Sequence, residues 1–196
     1  MIKALVLIFE PQSGWEGVAE RNRGVGFLLG LHLLPMLIFC TAAQLAGLHY
    51  FDGRKDSFDH VVRATPRLLE VFGATEFLLS LVVVLAGAYV IKALGDTFHS
   101  RHRFNQCLAV AIHGLSPLFL VRLLDAFAWM SPWISLPVGV VLSWGVLYQG
   151  IPRVLEPDPP HAFGLFLGSA LALGVLSALA RSVSLLVLWG RVPGLH

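Results

Sequence analysis

Residues 68–94 read LLEVFGATEFLLSLVVVLAGAYVIKAL, with no charged side chain between Glu76 and Lys92. A helix needs about 20 apolar residues to cross the roughly 30 Å hydrocarbon layer of a bilayer, and this stretch is longer than that. Four further stretches resemble it, Gly26–Leu48, Phe104–Met130, Pro132–Leu155 and Ala162–Gly190, with brief polar connections between them. Lipid offers backbone amides and carbonyls no partner, so each stretch must close its hydrogen bonds internally as a helix. The expected fold is all-α, an integral membrane bundle of five transmembrane helices preceded by a short N-terminal interfacial helix. Residues 1–25 are read as an N-terminal cytoplasmic or interfacial segment and residues 26–196 as the transmembrane domain.

Composition agrees. The 196-residue chain is 56% hydrophobic and 13% charged, with a mean hydropathy of +0.74, whereas soluble domains carry about 25% charged residues. The net charge of +2 is spread along the chain without a basic block, which argues against nucleic acid as a partner. Cys40 and Cys107 share no metal-ligand or C-x-x-C spacing and read as buried thiols; neither metal nor cofactor is expected. Lys3 precedes the apolar run Ala4–Phe9, which is too short for a signal peptide and is expected to be retained.

Ahead of the first span, Ser13 and Glu16 have capping-box spacing just after Pro11. A helix starting there would turn Trp15, Val18 and Ala19 one way and Glu16, Glu20 and Arg21 the other. That pattern suits a helix lying on the membrane with Trp15 as interfacial anchor, the alternative being an ordinary polar turn. With the N-terminus inside, seven Lys and Arg residues fall on the cytoplasmic side (Lys3, Arg21, Arg23, Lys92, Arg101, Arg103, Arg153) against five outside. This majority favours a cytoplasmic N-terminus and a periplasmic C-terminus.

Glu76, Arg122, Asp125 and Arg181 fall inside the spans, where an ionised side chain costs several kcal/mol unless paired, hydrated or able to snorkel. With alternating span direction and a rise of 1.5 Å per residue, Glu76, Arg122 and Arg181 each lie about 12 Å below the outer rim, with Asp125 somewhat shallower. Two acids and two bases at similar depth suit a buried polar cluster joining spans two, three and five, with Ser177 and Ser184 adding hydroxyls beside Arg181. The same residues admit two other accounts, separate snorkelling to the interface or a catalytic or conducting path. His32 and His113 lie in the inner halves of spans one and three and read chiefly as donors to neighbouring helices. Asp56 and His60 have i,i+4 spacing but no further ligand to complete a metal site. Gly26/Gly30 and Gly164/Gly168 are both G-x-x-x-G at the inner ends of spans one and five, which suggests that these two spans pack closely.

Several local patterns resemble the Yip family of Ypt/Rab-interacting membrane proteins. They are Phe9-Glu10-Pro11 followed by Trp15, Phe104-Asn105-Gln106, Ser116-Pro117-Leu118, Trp144, and Leu147-Tyr148-Gln149-Gly150 with Ile151-Pro152. The resemblance covers nearly the whole chain and implies five helices, a cytoplasmic N-terminus and, for eukaryotic relatives, a part in vesicle transport through Rab-type GTPases. This chain lacks their long cytoplasmic N-terminal region and their Asp-Leu-Tyr-Gly-Pro motif. It is similar to compact bacterial members, and GTPase binding is doubtful.

The functional expectation is a non-enzymatic protein of the bacterial inner membrane, a scaffold, adaptor or membrane-organising, trafficking-type subunit working through helix contacts. Its expected partners are the lipid bilayer and either another membrane protein or further copies of itself. The alternative is a small transporter or channel subunit whose polar path is lined by Glu76, Arg122, Asp125 and Arg181. A membrane enzyme ranks third, since no H-E-x-x-H, G-x-S-x-G or P-loop pattern occurs.

Overall fold

The computed structural model describes Gly14, Trp15, Gly17 and Val18 together with residues 24–50, 65–98, 102–127 and 131–189. Five helices among them are long and apolar enough to cross a membrane: α1 Val25–Tyr50, α2 Pro66–Thr97, α3 Phe104–Ala126, α4 Pro132–Leu155 and α5 Pro159–Leu188. Each starts within three residues of its expected boundary. The last residues of the expected third span, 128–130, lie outside the described residues, as do Ser13, Glu16, Glu20, Arg21, Asp56 and His60.

Local chemistry sets the helix ends. Thr65 caps α2 by accepting from the Leu68 N–H at 3.4 Å, and Pro66 follows at a position whose missing N–H costs nothing. The Gln106 side chain reaches back to accept from the Arg103 N–H at 3.1 Å and so fixes the start of α3. At the end of α4 Glu156 takes a left-handed conformation (φ 42°), which turns the chain back directly into α5.

Two prolines leave marks inside spans. Pro35 cannot donate to the carbonyl four residues earlier and its ring crowds that turn; the preceding segment Leu28–Leu33 is wound as a π-helix, which widens the turn there. Pro117 interrupts α3, and the adjacent Leu118 N–H donates across to Ser143 Oγ of α4 at 3.2 Å. Beyond it α3 tightens into a 3-10 segment, Arg122–Ala126.

α3 is the axis of the bundle. Its apolar window is 78% buried, against 28–39% for the other four helices. It packs chiefly between α4 and α2, while α5 lies along α2 and also meets α4. α1 crosses the 3-10 end of α3 so closely that a Cβ on Gly47 would collide with the Ala126 backbone. The outward faces, including Leu31, Ile38, Val82, Val141 and Val175, are apolar and exposed, as a lipid-facing surface requires.

Two expectations are corrected here. Trp15 is not an anchor at the membrane surface; it is fully buried, its indole Nε1 donates to Val146 O at 3.1 Å, and its ring occupies a space that a Cβ on Gly150 would fill. The apolar face carrying Trp15 and Val18 packs on protein because α4 supplies both a flat socket and an acceptor for the indole N–H. The G-x-x-x-G pairs do not join α1 to α5. A Cβ on Gly26 or Gly30 would meet nothing within 4 Å, whereas Cβ atoms on Gly164 and Gly168 would lie 3.2 Å from the Phe98 ring and the Leu94 side chain. The second pair therefore accommodates the C-terminal end of α2.

Candidate functional site

Three helices each turn a polar stripe inward near one end of the bundle. On α2 the buried positions Phe72, Gly73, Glu76, Ser80, Val83 and Val84 follow one helical face, and Glu76 and Ser80, one turn apart, are its polar members. On α5 Ser169, Leu173, Ser177, Arg181 and Ser184 do the same. On α3 the 3-10 winding brings residues three apart into line, so Arg122 and Asp125 project from the same edge.

The four charged groups meet. Glu76 Oε1 lies 2.9 Å from Arg122 Nη1 and 3.1 Å from Arg181 Nη1, bridging two guanidinium groups. Arg181 extends its Nη2 to Asp125 Oδ2 at 2.5 Å. The side chains of Glu76, Asp125, Arg181 and Arg122 are between 2% and 7% exposed, so the network is closed off from its surroundings.

Neighbouring polar groups complete the cluster. Arg122 Nη1 also donates to Ser80 Oγ at 2.8 Å, and its guanidinium carbon lies 5.6 Å from the centre of the Phe119 ring, within cation–π range. Gln44 of α1 donates from Nε2 to Arg122 O at 3.2 Å, tying α1 to the start of the 3-10 segment. Ser184 lies beside Glu76 and donates to Ala180 O of its own helix, while the buried Ser177 hydroxyl has no hydrogen-bond partner among the described residues. Ser80, rather than Ser177, is the hydroxyl that a guanidinium engages.

Ser80 and Gln44 escaped the sequence reading. Ser80 was marked by its place four residues after Glu76 in an otherwise apolar run, and Gln44 by being an amide inside an apolar span.

Chemically the cluster holds two acids against two bases with no net charge. Glu76 lies against two guanidinium groups and Asp125 against one. No group of three or more His, Cys, Asp and Glu among the described residues is placed to hold a metal ion.

A second polar locus lies nearer the π-helical end of α1. His32 and His113 stack with ring centres 4.5 Å apart and planes 16° from parallel, and the Trp15 ring sits 6.1 Å from that of His113. His113 Nδ1 lies 2.9 Å from Ala109 O. The two histidines therefore meet each other across the α1–α3 contact.

Comparison with curated proteins and with solved structures gave no match. A family model, the Yip1 domain, matches residues 5–181 and so takes in all five helices but the last residues of α5. The match extends through Trp15, in keeping with the packing of that residue inside the bundle. The chain is a multi-pass membrane protein and belongs to the Yip1-domain family.

Proposed function

We propose that this protein is a non-enzymatic scaffold, adaptor or membrane-organising subunit, of the trafficking type, that works through contacts of its lipid-facing helices. The observation that supports this reading is the closure of the charge cluster: Glu76, Arg122, Asp125 and Arg181 neutralise one another at the junction of α2, α3 and α5. Intramembrane charges that serve transport face a hydrated path. Here they serve the joint between helices.

The rest of the reading follows from this. Residues 1–25 are read as an N-terminal cytoplasmic segment and residues 26–196 as the transmembrane domain, with Trp15 of the former hydrogen-bonded to Val146 O of α4. The proposed location is a bacterial inner membrane, with the N-terminus cytoplasmic and the C-terminus periplasmic. The partner is another membrane protein or a second copy of the chain, and GTPase binding is not part of the proposal.

The test has two arms. In-membrane cross-linking followed by purification in mild detergent should return one chain at fixed stoichiometry, either a distinct membrane protein or a second copy. Vesicles containing the purified protein should show no solute or ion flux that Glu76→Gln abolishes. Flux lost with that substitution would replace the scaffold with the transporter reading.

A further inference from the structure

The connection between α4 and α5 frames a groove that the charge cluster does not use. Its volume is about 520 Å³, within the roughly 300–1,000 Å³ of small-molecule sites. One wall is the end of α4, with Tyr148, Gln149, Pro152 and Arg153; the other is the start of α5, with Phe163 and Phe166. The left-handed turn at Glu156 sends α5 back beside the end of α4 and so creates the cleft.

The polar side chains of this groove are the Arg153 guanidinium, the Gln149 amide and the Tyr148 phenol. Arg153 is its single charged residue, and among the described residues it forms no ion pair; its Nη1 donates to Gln149 Oε1 at 3.2 Å and weakly to Gln149 O at 3.5 Å. That leaves Nη2 and Nε of Arg153, the Gln149 amide nitrogen and the Tyr148 hydroxyl to donate into the cleft. No carboxylate lines it. The first turn of α5 adds no donor, because Pro159 and Pro160 have no N–H and the His161 and Ala162 amides donate to Asp158 O. A lone guanidinium with neutral donors around it calls for an oxyanion with several acceptor oxygens.

The remaining lining is aromatic. Tyr148 meets Phe166 edge-on at 5.2 Å, Phe163 stands 6.3 Å from Phe166, and Tyr148 and Phe163 are both largely exposed on the outward face. Tyr148 lies seven residues before the end of α4, about 10 Å along the axis, so the groove spans the headgroup zone where aromatic side chains collect. A free anion has no use for such a wall. An acyl chain does.

We propose that this groove binds one phospholipid, its headgroup phosphate held by Arg153 with Gln149 and Tyr148, and its glycerol and upper acyl chain laid against Phe163 and Phe166. Glu156 and Asp158 flank the site from the connection without lining it and act against extra negative charge, so recognition centres on the phosphate. The site is separate from the charge cluster and does not depend on the scaffold reading.

The experiment is native mass spectrometry of the full chain released from nanodiscs of phosphatidylcholine doped with phosphatidylglycerol. The wild type should retain one phospholipid per chain, and Arg153→Gln should lower its occupancy about tenfold, the scale of losing a charge-assisted hydrogen bond. Arg67→Gln, at the start of α2 and outside the groove, should leave it unchanged. Should Arg153→Gln prove unfolded by circular dichroism, Gln149→Leu, which keeps the cation but removes a donor, should lower occupancy instead. Retention unaffected by the groove variant that folds would mean annular lipid only and would overturn the proposal. Displacement of the bound lipid by inorganic phosphate at comparable concentration would overturn it too, by assigning the site to a free anion.

Discussion

Replacing Arg181 by Leu removes the side chain that holds both carboxylates of the charge cluster, through Glu76 Oε1 at 3.1 Å and Asp125 Oδ2 at 2.5 Å. Arg122 then faces two acids alone, and Asp125, with its side chain 4% exposed, loses its guanidinium partner. Breaking a buried ion pair by deleting one partner costs about 3–5 kcal/mol, since the remaining charge must stay uncompensated or take up a proton. The lower end is the better expectation in lipid, where the unfolded chain also finds polar partners. At about 1.4 kcal/mol per decade, 3 kcal/mol lowers the folded-to-unfolded ratio roughly a hundredfold. Equilibrium unfolding in mixed dodecyl maltoside and dodecyl sulfate micelles, followed by circular dichroism, measures it. The double variant Arg181→Leu with Asp125→Leu restores charge balance around Glu76 and Arg122 and should recover more than half of the loss. The reasoning fails if Arg181→Leu costs less than about 1 kcal/mol, the scale of an exposed pair, or if the double variant is no more stable than the single one.

Ser143→Ala should strand the Leu118 N–H beside Pro117 and destabilise by about 1–3 kcal/mol in the same unfolding assay, with no loss expected had the bond been incidental. Gly150→Leu should expel Trp15 from its socket, seen as a red shift and greater acrylamide quenching of the Trp15 signal when the other tryptophans are replaced by Phe; an unchanged spectrum would mean that the indole lies elsewhere. Gly26→Ala and Gly30→Ala should be neutral or stabilising by up to about 1 kcal/mol, because the new methyl meets open space and Ala favours the helix. Gly168→Leu must displace Leu94 of α2 and should cost about 1–3 kcal/mol, and equal effects at all three glycines would contradict the packing described.

The five spans were legible in the sequence because length and apolarity are one-dimensional quantities: α4 begins and ends on the expected residues, Pro132 and Leu155. The meeting of Glu76, Arg122, Asp125 and Arg181 was legible for a related reason, since alternating span direction converts residue number into depth. What sequence did not convey was rotation about each helix axis. G-x-x-x-G marks a face able to approach a neighbour without naming the neighbour, and on α5 that neighbour is α2. Trp15 was misplaced for the same cause: an amphipathic face is equally compatible with lipid headgroups and with a socket on α4, and Gly150, which makes the socket, lies 135 residues further along the chain. The engaged Ser80 and Gln44 were visible as polar residues in apolar spans, yet their partners depend on which way each helix is turned.

The position of the charge cluster follows from what lipid withholds. Between helices in a bilayer there is little hydrophobic driving force, because acyl chains are as apolar as leucine, and van der Waals packing alone separates one register from another only weakly. A slip of α5 by a single turn, about 5.4 Å, would leave most of its apolar contacts replaceable by similar ones, but it would carry Arg181 beyond reach of both Glu76 and Asp125. The 3-10 winding at the end of α3 aligns Arg122 with Asp125, and it follows a proline whose disrupted turn is tied to α4 through Ser143. Gln44 then binds the Arg122 carbonyl from α1, and Gly47, one turn on, lets α1 come against Ala126. One irregular stretch of α3 thus fixes register with α1, α2, α4 and α5, which is why the most buried helix is also the one whose backbone departs furthest from the α-helix near the charges.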